Sequence, residues 1–114
     1  MAVAALPLPF LRAEFVHGLA DVSRQSILEL LRPGEMRVTD LVLATGLSQP
    51  NVSKHLRCLR GCGLVVSDKR GRETFYALPP VVQRLLDVLD ETVDELAPRM
   101  AACRLTDATV GCCP

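Results

Sequence analysis

Aromatic residues are scarce in this chain: it has no tryptophan, one tyrosine and three phenylalanines. A core built on large rings is therefore excluded, and aliphatic side chains must fill it. Hydrophobic residues make up 49% of the 114 positions, which is enough for a core and leaves some over for a dimer interface. Length and composition predict one compact domain.

Long apolar runs are also lacking. The longest, Met1 to Leu11, is too short to span a bilayer and contains Pro7 and Pro9. Because it has no basic leading segment and no clear cleavage site, we predict no signal peptide, no membrane partner and a cytoplasmic location. Thiols stay reduced there, so the five cysteines are expected to be ligands or core residues rather than disulfides.

Net charge is absent too, since 13 basic residues balance 13 acidic ones. Taken alone, this argues against a nucleic-acid partner. The distribution argues for one: residues 54–72 hold six basic residues and one acid, whereas residues 81–100 hold five acids and two arginines. A local basic patch is typical of a surface that binds phosphate, although many charged runs are only solvated faces.

Cap and stop residues divide the first half of the chain into short helices. Asp21, Thr39 and Ser48 are suitable N-caps, and Gly46 and Gly63 are suitable C-terminal stops. We therefore predict four helices, at about residues 10–19, 22–32, 40–45 and 49–62.

The second half of the chain begins with two β-prone runs, residues 64–67 and 73–78, joined by the basic stretch Asp68 to Arg72. A long helix then opens at Pro79-Pro80, and Pro98 is expected to end or kink it. Its apolar residues recur at spacings of three and four, which predicts one buried stripe. They are Val82, Leu85, Leu86, Leu89, Val93 and Leu96.

This order of elements predicts a mainly α fold with a small β-hairpin, a winged helix-turn-helix. We assign residues 1–103 to a DNA-binding and dimerisation domain. Residues 104–114, which include Cys112 and Cys113, are assigned to a flexible tail.

The fourth helix has the amphipathic pattern of a recognition helix. Val52, Leu56 and Leu59 share one face, which we expect to pack inward. Amides suit adenine edges and cations suit phosphates, so its polar residues and the hairpin predict contacts with double-stranded operator DNA. The alternative is that the amides are ordinary helix-start residues. The candidate contacts are Ser48, Gln49, Asn51, Ser53, Lys54, Arg57, Arg70 and Arg72.

Two cysteines of the same helix, Cys58 and Cys62, fall on its flank, between the core face and the polar face. Their spacing of four residues places the Cβ atoms about 6 Å apart, a separation that one soft ion can bridge. A disulfide prefers about 3.8 Å and is disfavoured. A single cysteine here would usually be core filler; the pair on a basic helix favours ligands.

The central residues resemble the ArsR/SmtB family of metal-responsive repressors. The similar stretches are GLADVSRQSILELL and VTDLVLATGLSQPNVSKHLRCLRGCGLVVSDKRGRETFYAL, together with the closing helix. Ser48, Val52, Ser53, His55 and Leu56 form its most specific core. The resemblance implies a winged-helix repressor that is an obligate homodimer, paired through its first and last helices.

The resemblance also bears on the metal site. In EMRVTDLV, Arg37 and Thr39 stand where many members have two cysteines, and LLDVLDETVDELAP lacks the histidine of another family site. What remains is similar to the actinobacterial cadmium/lead-sensing branch, which implies Cys58, Cys62 and Cys103 as ligands. Each site would join one subunit's recognition helix to the other's C-terminal region. Cys112 and Cys113 are possible accessory ligands.

Three thiolates suit the soft ions Cd(II) and Pb(II), and the adjacent Cys112-Cys113 pair leaves Hg(II) and As(III) open. Arg57 and Arg60 are expected to favour the thiolate forms. We therefore predict a repressor that releases DNA when the ion binds. The alternative is a thiol-based redox or persulfide sensor. An enzyme using Cys58 with His55 is disfavoured, since nothing resembles an oxyanion site or a substrate pocket.

Overall fold

The computed structural model describes residues 6–106 and the side chains of residues 6–102. Its contacts divide the chain after Val82 into two units. The elements are α1 (Leu8–Leu19), α2 (Val22–Leu31), β1 (Met36–Arg37), α3 (Val38–Thr45), α4 (Gln49–Gly61), β2 (Val66–Arg70), β3 (Glu73–Ala77) and α5 (Pro80–Thr106).

Two of the three predicted helix caps are confirmed. The Asp21 carboxylate accepts the backbone N–H of Arg24 at 2.9 Å, and the Ser48 hydroxyl accepts that of Asn51 at 3.3 Å. Both bonds satisfy N–H groups that a helix leaves without a partner in its first turn. At the other end of α3, Gly46 adopts φ 74°, a left-handed conformation that favours glycine.

The predicted cap of α3 was wrong, because the N-cap is Arg37 rather than Thr39. The Asp40 carboxylate accepts the backbone N–H of Arg37 at 3.2 Å and also binds its guanidinium. This reciprocal pairing closes the first turn of α3 two residues before the expected position.

The predicted hairpin is present with shifted strands. The first strand was predicted to begin at Leu64, but β2 begins at Val66. Leu64 and Val65 precede the strand and are buried in the core. A two-residue turn, Gly71 and Arg72, joins it to β3, and Gly71 has φ 64°. Sequence reasoning missed β1, which pairs antiparallel with β3 to give the sheet order β1-β3-β2.

The core of the first unit lies among α2, α3, α4 and the segment before β2. Burying a leucine side chain contributes about 1.5–3 kcal/mol, so these contacts fix how α4 is rotated. The side chains of this core that are completely or almost completely buried are Ile27, Leu28, Leu31, Leu41, Val52, Leu56, Leu59, Leu64 and Val65.

The long helix α5 begins at Pro80, as predicted, and runs through Pro98 to Thr106. Pro98 was expected to end or kink the helix, and the first of these alternatives is wrong: a proline removes one backbone hydrogen bond, but here the helix continues. The predicted stripe is only partly covered in the single chain, where Val93 and Leu96 are 50% and 43% exposed. Within residues 6–106, no helix is long and apolar enough to cross a bilayer. The tail was predicted over residues 104–114, but the backbone of residues 104–106 is the last part of α5, and residues 107–114 lie outside the described residues.

Candidate thiol site and nucleic-acid interface

Helix α4 has the inner and outer faces that its sequence predicted. Val52, Leu56 and Leu59 are buried, while Lys54 and Arg57 are exposed. Because the core fixes the inner face, the basic side chains are held toward solvent. This leaves the outer face of α4 open to a polyanion.

At the start of α4, Gln49 and Asn51 are exposed and Ser53 is half-buried. Ser48 is the N-cap, and its hydroxyl already accepts a backbone N–H, so its first role is to begin the helix. Exposed amides at the first turn of a helix can reach base edges when that helix enters a major groove.

The two candidate arginines of the hairpin differ sharply. Arg72 lies exposed in the two-residue turn. Arg70 instead donates two hydrogen bonds of 2.7 Å to Glu35 and one of 2.9 Å to Asp68. Its guanidinium also lies 4.5 Å from the ring centroid of Phe75. These carboxylates raise the pKa of Arg70 and neutralise its positive charge. Arg72 is therefore the stronger candidate for a phosphate contact.

A notch of about 230 Å³ lies between the start of α4 and the hairpin. It brings together Gln49 and Arg72, which are far apart in the sequence. The notch walls also include Arg37 and Thr39, which sequence reasoning had not assigned to the interface. No local signal marks them, because their position depends on the pairing of β1 with β3.

Arg37 is held by two carboxylates. It donates to Asp40 at 3.0 and 3.1 Å and to Glu73 of β3 at 2.8 Å. The hydrogen bonds to Asp40 and Glu73 raise the pKa of Arg37, and the guanidinium lowers the pKa of Asp40. Arg37 stands where many members of the family have a cysteine ligand, and in this structure it is an arginine paired with two carboxylates of the same chain.

The thiol pair lies on the flank of α4, as predicted. Both Cys58 and Cys62 are free and exposed as residues, and their thiols lie close enough for Cys58 to raise the pKa of Cys62. The sulfur of Cys62 points toward α1, where a Cβ atom added to Gly18 would lie only 3.2 Å from it. Gly18 is thus part of the site that the sequence did not reveal, since it is 44 positions away.

The electrostatics of the pair differ from expectation. Burial of the sulfur raises the pKa of Cys62 above the usual value of a thiol, and Cys58 raises it further. The cation that lowers it is Arg24 of α2, rather than Arg57 or Arg60. Arg24 is held near by its hydrogen bond to the carbonyl oxygen of Gly18, at 2.7 Å. Helical periodicity places Arg57 and Arg60 on the same helix as the cysteines but does not show that Arg24 of α2 is the cation nearest the sulfur of Cys62.

The donor set of the described part of the chain is incomplete. Among residues 6–102, no three histidine, cysteine or acidic side chains are grouped to hold an ion. The backbone of Cys103 is in α5, but its side chain lies outside the described residues, as do Cys112 and Cys113. Two adjacent thiols fit a soft ion as part of its ligand set, and further ligands must come from elsewhere.

Comparison with known proteins agrees with this geometry. Residues 21–67 match the family described as bacterial regulatory protein, arsR family. The HTH-type transcriptional regulator NmtR of Mycobacterium tuberculosis is 47% identical over 66% of this chain and 63% of its own length. A probable mercury resistance operon repressor of Streptomyces lividans is 36% identical over 68% of this chain and 64% of its own. The chain therefore spans less than two thirds of either relative.

Among solved structures, a similar fold occurs in a winged helix-turn-helix DNA-binding domain of Mycobacterium bovis. That domain is described as homodimeric and as a possible ArsR-family transcriptional regulator. The TM-score is 0.74, with 30% identity over 81% of this chain and 86% of the other. The likeness confirms the predicted winged helix-turn-helix fold. These similar proteins are described as regulators, which agrees with the expectation that the chain is not an enzyme.

Proposed function

Since the chain belongs to the arsR family of bacterial regulatory proteins, we propose that it is a homodimeric repressor that binds operator DNA and releases it when a soft metal ion binds cysteine thiolates. The observation that carries the proposal is the position of Cys58 and Cys62. The helix that presents Lys54 and Arg57 outward also presents both thiols on its flank. An ion bound there acts directly on the element that would read DNA.

The coupling follows from dimer geometry. A helix-turn-helix dimer binds two half-sites about 34 Å apart, so a change in the spacing of its recognition helices weakens DNA binding. We propose that Cys103 of the second subunit is the third ligand, with Cys112 and Cys113 as accessory thiols. An ion held in this way ties each α4 to the other subunit and changes that spacing.

The energy requirement is within reach of thiolate chemistry. Moving the protein from mostly bound to mostly free requires the ion to favour one state by about 5.5 kcal/mol. Structural metal sites supply about 10–16 kcal/mol of binding free energy. Roughly a third to just over half of that energy therefore has to differ between the DNA-bound and free states.

The proposed inducer is Cd(II) or Pb(II), because a site made of thiolates selects soft ions over Mg(II) and Ca(II). Hg(II) and As(III) are the second candidates. The observation that favours Hg(II) is the similarity to the mercury resistance operon repressor of Streptomyces lividans. Both candidates would act at the same thiol pair.

The test joins metal binding and DNA binding in one sample. A labelled duplex is first selected from a random-sequence library with the metal-free, reduced protein. Fluorescence anisotropy then follows release of that duplex during titration with Cd(II), Pb(II), Hg(II), Zn(II) or arsenite. Sulfur-to-metal charge-transfer absorption reports occupancy of the site. We expect absorption and release to rise together for the inducing ion.

The matched control is Cys58→Ser, which keeps a hydroxyl of similar size in place of the soft ligand. It should bind the duplex and fail to respond to the ion. If the wild type releases DNA only under oxidants or persulfides and not with metal under reducing conditions, the protein is a redox sensor instead. If it binds no duplex in the selection, the repressor proposal itself is wrong.

A further inference from the structure

The notch between α4 and the hairpin contains opposite charges side by side. Gln49 and Arg72, the candidate base and phosphate contacts, line it together with Glu73. A carboxylate in this position would repel a DNA phosphate that approaches Arg72. The notch therefore needs a cation that neutralises Glu73 before DNA arrives.

Arg37 supplies that cation. Its Nη1 donates to Oε1 of Glu73 at 2.8 Å, and its Nη2 and Nε donate to Asp40 at 3.0 and 3.1 Å. All three guanidinium nitrogens are thus directed at carboxylates of the protein. The side chains of Arg37 and Glu73 remain 39% and 50% exposed, so the pair is open to the solvent from which DNA would approach.

The backbone keeps this pair in place. Arg37 is paired with Phe75 in the β1–β3 ladder, which brings its side chain close to the start of β3. Glu73 is the first residue of β3 and directly follows Arg72 of the turn. One ion pair therefore sets the charge next to the phosphate candidate and links α3 to the hairpin.

We propose that Arg37 is a positioning residue of the DNA interface: it neutralises Glu73 and holds the hairpin beside α4, without itself contacting DNA. This inference rests on the proposed DNA-binding function. It assigns Arg37 a different role from Arg72, which would meet the phosphate. An exposed arginine at a DNA-binding surface would otherwise be interpreted as a phosphate contact, and the two roles predict different mutant behaviour.

The test is a double-mutant cycle read by duplex binding of the metal-free protein. Arg37→Gln should weaken binding about fivefold, the factor expected for two like charges about 4 Å apart in water. Glu73→Gln should bind at least as tightly as the wild type. The double variant should return to within about twofold of wild-type affinity, because the carboxylate beside Arg72 is gone, and Asp40, which also loses its guanidinium partner, does not line the notch.

Two controls separate this local effect from net charge. Arg37→Gln with Glu29→Gln has the same net charge as the double variant but keeps Glu73 unpaired, so it should stay weakened. Arg32→Gln removes the arginine that caps the C-terminal end of α2 and pairs with Glu29 at 3.4 Å, and it should have little effect on duplex binding. Rescue by Glu29→Gln equal to rescue by Glu73→Gln would overturn the proposal in favour of a net-charge effect.

A direct phosphate contact gives the opposite pattern. Arg37→Gln would then lower the salt dependence by about one counterion, and Glu73→Gln would not restore affinity. That result overturns the role of Arg37 while leaving DNA binding intact. Absence of duplex binding by the wild type would instead overturn the proposed function.

Folding is controlled by thermal unfolding of each variant. In Arg37→Gln, the Asp40 carboxylate still accepts the backbone N–H of residue 37, so α3 keeps its first turn. Should the variant nevertheless unfold, Arg37→Lys provides the second measurement. It keeps a cation within reach of Glu73 but lacks the fork that also binds Asp40, so it should lose less than fivefold in affinity, and adding Glu73→Gln should restore wild-type affinity within about twofold. A loss of fivefold or more that Glu73→Gln does not restore would contradict neutralisation as the role of Arg37.

Discussion

Enlarging Gly18 should disturb the thiol pair without touching either cysteine. A Cβ atom at this position would lie 3.2 Å from the sulfur of Cys62, closer than the usual 3.5–4.0 Å between non-bonded atoms. Gly18→Ala requires a shift of only a few tenths of an ångström and should be mild. Gly18→Val adds two further methyl groups, and overpacking of this size costs about 1–3 kcal/mol.

The free energy cost should appear mainly in metal binding. Cys62 is exposed as a residue, so its side chain can rotate away from α1 at little cost in folding stability. The rotated sulfur no longer lies beside Cys58, and a loss of 1–3 kcal/mol corresponds to about 5- to 150-fold weaker binding of Cd(II). Charge-transfer titration measures this affinity, and thermal unfolding of the metal-free protein measures stability.

A second measurement uses no metal. Because burial is the main cause of the raised pKa of Cys62, moving the sulfur into water should lower that pKa and speed its alkylation at neutral pH. Gly34→Val is the matched control, since nothing lies within 4 Å of a Cβ atom added there. If Gly18→Val binds Cd(II) and is alkylated like the wild type, α1 does not confine the sulfur.

The remaining predictions concern the thiols and the hairpin. Cys58→Ser and Cys62→Ser should each keep the fold and duplex binding, since both residues are exposed, and each should lose metal-induced release. The apparent affinity of the wild type for Cd(II) should rise with pH through neutrality, by about tenfold per pH unit for each proton released. The reason is that Cys62, whose pKa is raised, is still protonated at neutral pH and must lose its proton to bind the ion. A titration that does not change with pH would contradict this. Cys103→Ser should still bind Cd(II), though more weakly, and should remain on DNA when the ion binds. Deletion of residues 111–114 should affect metal-induced release far less. If the deletion abolishes release and Cys103→Ser does not, the third ligand comes from Cys112 and Cys113. Arg72→Ala should weaken binding to all duplexes and flatten the salt dependence, and an unchanged slope would exclude the hairpin from the interface.

Much of the fold was predictable because its signals are local. Asp21 and Ser48 cap helices through bonds to residues three positions on, and the buried face of α4 follows from its periodicity. The same reasoning placed Cys58 and Cys62 on the flank of α4. Each inference needs only one helix and its geometry, with no knowledge of what packs against it.

Features that join distant segments were missed for the opposite reason. β1 is two residues long and exists through its pairing with β3. The basic run predicts a phosphate contact at Arg70 but does not reveal its pairing with Glu35, which lies beside it only in the folded sheet. The apposition of Gly18 and Cys62 likewise depends on how α1 packs against α4, which neither helix encodes alone.

The position of the thiol pair explains why the proposed switch needs a ligand beyond α4. Cys58 and Cys62 belong to one helix and already lie side by side, so an ion held by these two sulfurs alone would leave the helix where it is. Such an ion has little differential affinity for the DNA-bound and free states, and a ligand without differential affinity shifts no equilibrium, however tightly it binds. A third thiolate from a different segment changes this, because the ion then fixes a distance that is otherwise free. The strength of metal binding and the strength of the switch are therefore separate quantities: the first is set by the pair on α4, and the second by the origin of the third ligand.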